Sequence, residues 1–98
     1  MLSEDDIQQT VRCLKGLAHP TRLGILCLLR DGEMTVHELQ THFHCTQSNI
    51  SQHLGIMRER EILTARKDSN QVFYGVKNQE LFRLLELLRD VYCRFSPR

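Results

Sequence analysis

Four cysteines, five histidines and one run of hydroxyl and amide side chains are the groups in this chain best equipped for chemistry. The thiols, Cys13, Cys27, Cys45 and Cys93, are scattered. They show neither Cys-x-x-Cys nor knuckle spacing, which argues against a structural zinc site. His42-Phe43-His44-Cys45 offers imidazole and thiol groups close together and is a candidate for metal ligation. It lacks a neighbouring acid to orient a histidine. The chain also has no Gly-rich phosphate loop and no nucleophile elbow, so an enzyme is not expected.

The run Thr46-Gln47-Ser48-Asn49-Ile50-Ser51-Gln52-His53-Leu54 is different in kind. Short hydroxyls and amides hydrogen-bond base edges and phosphates, and no carboxylate between Leu39 and Arg58 opposes a polyanion. A helix capped at Thr46 would add partial positive charge at its N-terminus. Arg66 and Lys67 could grip a second stretch of nucleic-acid backbone. The same stretch also suits a plain solvated face, and an isolated basic pair is often no more than that.

These groups need elements to position them. Ile7, Val11, Leu14 and Leu17 recur at three- and four-residue spacing, which predicts an amphipathic helix over 4–17. Ala18-His19-Pro20-Thr21 separates it from a second, nearly all-apolar helix that includes Leu23 to Leu29, with Pro20 suited to a first helical position and Asp31-Gly32 as the stop. Thr35 and Glu38 form a capping box for a third helix carrying Val36, Leu39 and Phe43. Thr46 caps a fourth, running to about Arg60 with Ile50, Leu54 and Met57 inward, and the third and fourth make a helix-turn-helix. Residues 62–67 and 71–76 read as a β-hairpin across Asp68-Ser69-Asn70. A last helix, about 78–93, places Leu81, Leu84, Leu85, Leu88 and Tyr92 on one face. The expected fold is mainly α with a small β-hairpin, ααααββα, a winged helix-turn-helix in a single domain over 1–98.

Composition agrees. Ninety-eight residues with 41% hydrophobic and 26% charged side chains suit one small globular domain, whose limited core favours burying more apolar surface in a homodimer. The net charge of +1 is too small to attract polyanions, so DNA binding must come from charge placement. The acidic start, Met1-Leu2-Ser3-Glu4-Asp5-Asp6, lacks the form of a signal peptide, and no apolar run could span a bilayer. A cytoplasmic protein without membrane contact is expected. There a bond between two thiols would be regulatory rather than structural.

Several motifs, in order, closely resemble the ArsR/SmtB family of repressors. They are Leu17-Ala18-His19-Pro20-Thr21-Arg22-Leu23, Ile25-Leu26, Ser48-x-x-Ser51-x-His53-Leu54, Arg66-Lys67 and Phe73-Tyr74. The resemblance spans about residues 10–93. It implies a homodimer joined through the first and last helices, the fourth helix in the major groove of double-stranded operator DNA, and the wing along the backbone. Carried over by position, Gln47, Ser48, Asn49, Ser51 and Gln52 face bases or phosphates, while His53 contacts a phosphate or packs against the neighbouring helix. Glu61 departs from the pattern, standing where the family usually has glycine at the exit of the reading helix.

Many members of this family release DNA on binding metal, but both familiar ligand sets are missing. The start of the third helix, Met34 to Leu39, has no thiol, and the last helix has no histidine. By the resemblance Cys45 and Cys13 fill apolar positions, where free cysteine packs as a small hydrophobe. A metal-responsive repressor with a non-standard ligand set is the alternative reading, and no metal or other cofactor is assigned. Ile25-Leu26-Cys27-Leu28-Leu29 with Gly32-Glu33, and Leu88-x-x-x-Tyr92-Cys93, resemble instead the BigR/SqrR/HlyU thiol-redox group. That resemblance implies that Cys27 and Cys93 are a redox pair. Reactive sulfur or oxygen species would link them and release the operator. Thiolate character at these positions is contested: a helix C-terminus at Cys93 would raise its pKa, while Arg89 one turn before it and Arg94 next to it oppose that effect, and Arg30 lies one turn after Cys27.

Overall fold

The computed structural model describes residues 1–93. Helix α1 (Glu4–Leu17) starts where Ser3 and Asp6 cap each other's backbone in a capping box. Helix α2 (Pro20–Leu28) follows after a sharp corner at which the His19 imidazole accepts from the Thr21 amide. A single 3-10 turn (Leu29–Asp31) ends it, and Gly32 then turns the chain at φ 148°, a region glycine adopts cheaply.

The third helix is shorter than its apolar spacing suggested. Helix α3 (Val36–Gln40) carries the expected Thr35–Glu38 capping box, but tighter bonds from the His42 and Phe43 amides to Leu39 and Gln40 end it early. Phe43 lies outside the helix and packs over α2, where a Cβ on Gly24 would come within 3.0 Å of its ring. Helix α4 (Gln47–Glu59) begins as expected, the Thr46 hydroxyl accepting from the Asn49 amide.

Three strands form the wing, one more than the hairpin expected. β2 (Leu63–Asp68) and β3 (Gln71–Val76) pair antiparallel across Ser69-Asn70, whose φ values of 49° and 70° suit a tight primed turn. The added strand, β1 (Met34–Thr35), pairs with β3 through Met34–Tyr74 and Thr35–Phe73. Two residues are too short to show an alternating pattern, which is why the sequence did not reveal it. The sheet order is β1-β3-β2 and the element order ααβααββα.

The last helix is also shorter than its leucine face. Asn78 accepts from the Glu80 amide in a turn that delays α5 to Leu81–Leu88, and a wide π turn (Arg89–Cys93) follows. Leu17, Ile25, Leu26, Leu29, Leu39, Ile50, Leu54, Met57, Ile62, Leu63 and Phe82 form the core, which draws on α1 to α5 and on β2. By contrast Ile7, Val11 and Leu14 on α1, Leu84, Leu87 and Leu88 on α5, and Val91 and Tyr92 just beyond it stand exposed.

Helix α4 leaves through a paired cap, the Ile62 amide bonding to Met57 and the Glu61 amide to Arg58. Glu61 therefore takes the left-handed conformation, φ 62°, despite its side chain. The missing glycine thus costs strain. Lys77 pairs with Glu61 at 3.3 Å, but both are exposed and such pairs contribute little. Glu61→Gly is expected to raise stability by about 0.5–1 kcal/mol. A higher urea midpoint at unchanged slope would show this, and a lower midpoint would contradict it.

Candidate nucleic-acid interface and thiol cleft

Helix α4 is divided lengthwise. Ile50, Leu54 and Met57 are fully buried at three- and four-residue spacing, while Gln47, Ser48, Asn49, Ser51 and Gln52 are all exposed. Ser48 and Gln52, one turn apart, centre the outward face. No acidic residue lies in the first turn, so amide groups and dipole face solvent without a competing carboxylate.

His53 is half-buried beside this surface and turned toward α2. Its ring lies 4.4 Å from that of His19, and its Nδ1 accepts from Arg22 Nη1 at 3.3 Å. Burial, then the neighbouring His19 and Arg22 charges, hold its pKa below the usual 6.5. Arg22 also donates to the Lys15 carbonyl, while its buried Nε has no partner. The sequence left His53 between phosphate contact and packing; its Nδ1 and one ring face are taken up by packing.

On the wing, Arg66 and Lys67 point to opposite faces, as adjacent strand residues must. Arg66 is tied down. Its Nε donates to Glu33 at 2.7 Å, Asp68 lies 3.7 Å from its Nη1, and its guanidinium stacks over Phe73 at 4.7 Å. Lys67 is exposed. Sequence reasoning missed Glu33, and its distance in the chain from Arg66 left no spacing signal.

The four cysteines divide into two kinds. Cys13 and Cys45 are half-buried against the core, and burial pushes the Cys13 thiol up in pKa. Cys27 and Cys93 are exposed and line one cleft of about 490 Å³ between α2 and α5. Leu23, Phe82, Leu85 and Leu88 form its apolar walls, with Arg30 and Arg89 also lining it. Leu23 and Cys27 lie one turn apart on α2, Arg30 follows in the 3-10 turn, and the π turn after α5 supplies Arg89 and Cys93. His42 and His44 are exposed, and among the described residues no three His, Cys, Asp or Glu groups gather closely enough to hold a metal ion.

A capped helix whose polar face carries no acid from Gln47 to Arg58, within a helix-turn-helix and flanked by a β-wing, defines a winged helix-turn-helix DNA-binding regulator. Residues 19–65 match the model of bacterial regulatory proteins of the arsR family. The chain is 37% identical over 91 residues to the transcriptional activator HlyU of Vibrio cholerae, spanning 93% of this chain and 84% of the relative. It is 40% identical over 80 residues to the biofilm growth-associated repressor of Agrobacterium fabrum, spanning 82% of this chain and 68% of that protein. The solved structure of reduced HlyU from Vibrio cholerae superposes with a TM-score of 0.79 at 38% identity, covering 92% of this chain and 95% of that one. The chain is an arsR-family transcriptional regulator.

The packing of His53 has a consequence for pH. Because its folded pKa is lowered, the unfolded chain takes up the proton first as pH falls. The stability contributed by the neutral ring is complete above the unfolded value of 6.5 and declines as pH drops through it toward the folded value. His53→Gln keeps an acceptor for Arg22 but cannot protonate. It should flatten the loss of urea stability below pH 6.5, and an unchanged acid limb would contradict this.

Proposed function

We propose that this regulator is a homodimeric repressor whose α4 helices read operator DNA and whose Cys27–Cys93 pair is the switch that releases it. The observation that carries the switch is the cleft itself: the two exposed thiols share it, and the half-buried pair lies elsewhere. Peroxide would oxidise one thiol to a sulfenic acid with loss of water. The second thiol then displaces another water to close the disulfide, two electrons passing from the pair to the O–O bond. With sulfane sulfur, each thiol takes up one atom and the two persulfides condense to a trisulfide, releasing hydrogen sulfide. One solved relative is described as reduced HlyU, and the relatives include both an activator and a repressor.

Gln47, Ser48, Asn49, Ser51 and Gln52 supply base and phosphate contacts in this reading, with Lys67 as the wing's accessible cation. Arg66 joins them only if phosphate displaces Glu33. Two copies of α4 must meet successive major grooves about 34 Å apart, so a modest shift between them lowers affinity. A clean switch from 99:1 to 1:99 needs roughly 5.5 kcal/mol of differential stability.

The exposed apolar side chains of α1 and α5 suit a partner copy. Leu84→Glu with Leu87→Glu should yield monomers with weakened operator binding, and a variant still dimeric at micromolar concentration would remove this interface. The switch is tested by operator anisotropy before and after polysulfide or peroxide. Wild type should release DNA and carry an intramolecular Cys27–Cys93 link by mass spectrometry, with Cys13 and Cys45 free. Cys27→Ser and Cys93→Ser should bind DNA and no longer respond. A Cys93→Ser protein that releases DNA normally would overturn the dithiol mechanism.

A further inference from the structure

The cleft is larger than two thiols need in order to meet, and its lining has a definite chemical character. Leu23, Phe82, Leu85 and Leu88 offer hydrocarbon and a ring, with no carboxylate among the described lining residues. Arg30 and Arg89 line the same space and supply the full charges among the described lining residues. A volume of about 490 Å³ lies within the range of small-molecule sites. Hydrogen peroxide and inorganic polysulfide use neither the apolar walls nor that volume.

We propose that this cleft binds a single-chain amphiphile with a carboxylate head and an apolar tail, and that a fatty-acid hydroperoxide is an oxidant it selects. The inference rests on the dithiol reading for its redox step and on the cleft alone for binding. Arg30 already takes a carboxylate: its Nη2 lies 3.4 Å from Glu86, with both side chains about 60% exposed. So exposed a pair is weak, and a ligand head can replace Glu86 at little cost. Arg89 provides a second donor. The carboxylate sits between these guanidinium groups while the tail lies on Leu23, Phe82, Leu85 and Leu88. A second copy of the chain is a poorer occupant: Leu23 and Leu88 are exposed and line the cleft, but Ile7, Val11, Leu14, Leu84, Leu87 and Val91, most of the apolar surface offered to a partner, do not.

The redox step balances without another reactant. One thiolate attacks the terminal peroxide oxygen, the O–O bond breaks, and the departing fatty alkoxide takes up the proton the thiol released, leaving as an alcohol. The resulting sulfenic acid loses its oxygen as water when the other thiol attacks, giving the disulfide. Two thiols are oxidised by two electrons and one hydroperoxide is reduced to an alcohol.

Binding is tested on the reduced full chain with acids that cannot oxidise it. Hexanoate, octanoate and decanoate, below their micelle concentrations, should slow iodoacetamide labelling of Cys27 and Cys93 while leaving Cys45 unchanged. Each added methylene should strengthen protection by up to about fourfold, the equivalent of ~0.8 kcal/mol, until the cleft is full. Octanol should protect less than octanoate. Arg89→Gln should weaken octanoate and leave octanol unaffected. Linoleate hydroperoxide should form the Cys27–Cys93 link about tenfold faster than tert-butyl hydroperoxide, which has the same reactive bond without the chain or head.

Absence of protection, or protection independent of chain length, overturns the site, including the case in which a partner helix fills the cleft. Equal linking rates for the two hydroperoxides overturn the oxidant class. If polysulfide still links the pair and releases DNA in those cases, the switch stands without the amphiphile. If no oxidant links Cys27 to Cys93, the switch reading and the oxidant class both fall, and chain-length-dependent protection decides the binding site by itself.

Discussion

The inner stripe of α4 packs into the same core as α2, and the arrangement of the site depends on that contact. Ile50, Leu54 and Met57 meet a core that holds Ile25, Leu26 and Leu29, all at or near zero exposure. Close-packed interiors do not deform gradually, so α4 cannot turn without repacking α2, and the reverse also holds. Burial of one stripe fixes which face of α4 is left for solvent, and that face carries the hydroxyls and amides. Cys27 lies on the other side of the same α2. The reading surface and the thiol cleft are therefore two faces of one packing arrangement.

Electrostatics adds a second connection through the turn after α2. Arg30 pairs with Glu86 of α5, Glu33 pairs with Arg66 of the wing, and Met34-Thr35 joins the wing as β1. A displacement at the end of α2 thus reaches α5 on one side and the wing on the other. None of these exposed pairs contributes much stability alone. Their value lies in geometry, since the strand pairing and the stacking of Arg66 on Phe73 hold that turn to the sheet.

Much of this was legible in the sequence because it is written in local signals. Pro20, Thr35 and Thr46 mark helix starts through capping or fixed φ, and each of those helices begins beside its marker. The Ser69-Asn70 turn and the Ile50–Leu54–Met57 stripe are equally local. Where the reading went astray, nonlocal contacts decided the outcome. Phe43 kept helical spacing but packs over Gly24 from outside α3, and Asn78 turns the chain before α5 begins. The two-residue strand β1 exists only because β3 lies beside it. Glu33 on Arg66, and His19 with Arg22 on His53, bridge residues far apart in the chain. The proximity of Cys27 and Cys93 to one cleft was implied by family resemblance, since no spacing rule relates two helices that pack from opposite ends of the chain.

The central claim is that linking Cys27 to Cys93 is felt by α4 through the α2–α4 packing. Backbone amide NMR of the reduced and the linked protein, both free of DNA, tests it most directly. The account predicts that the Ile50, Leu54 and Met57 amides shift on linkage along with those near the two cysteines, and that these changes accompany the loss of operator affinity. Shifts confined to the neighbourhood of Cys27 and Cys93, with α4 unchanged while operator affinity falls, would contradict it.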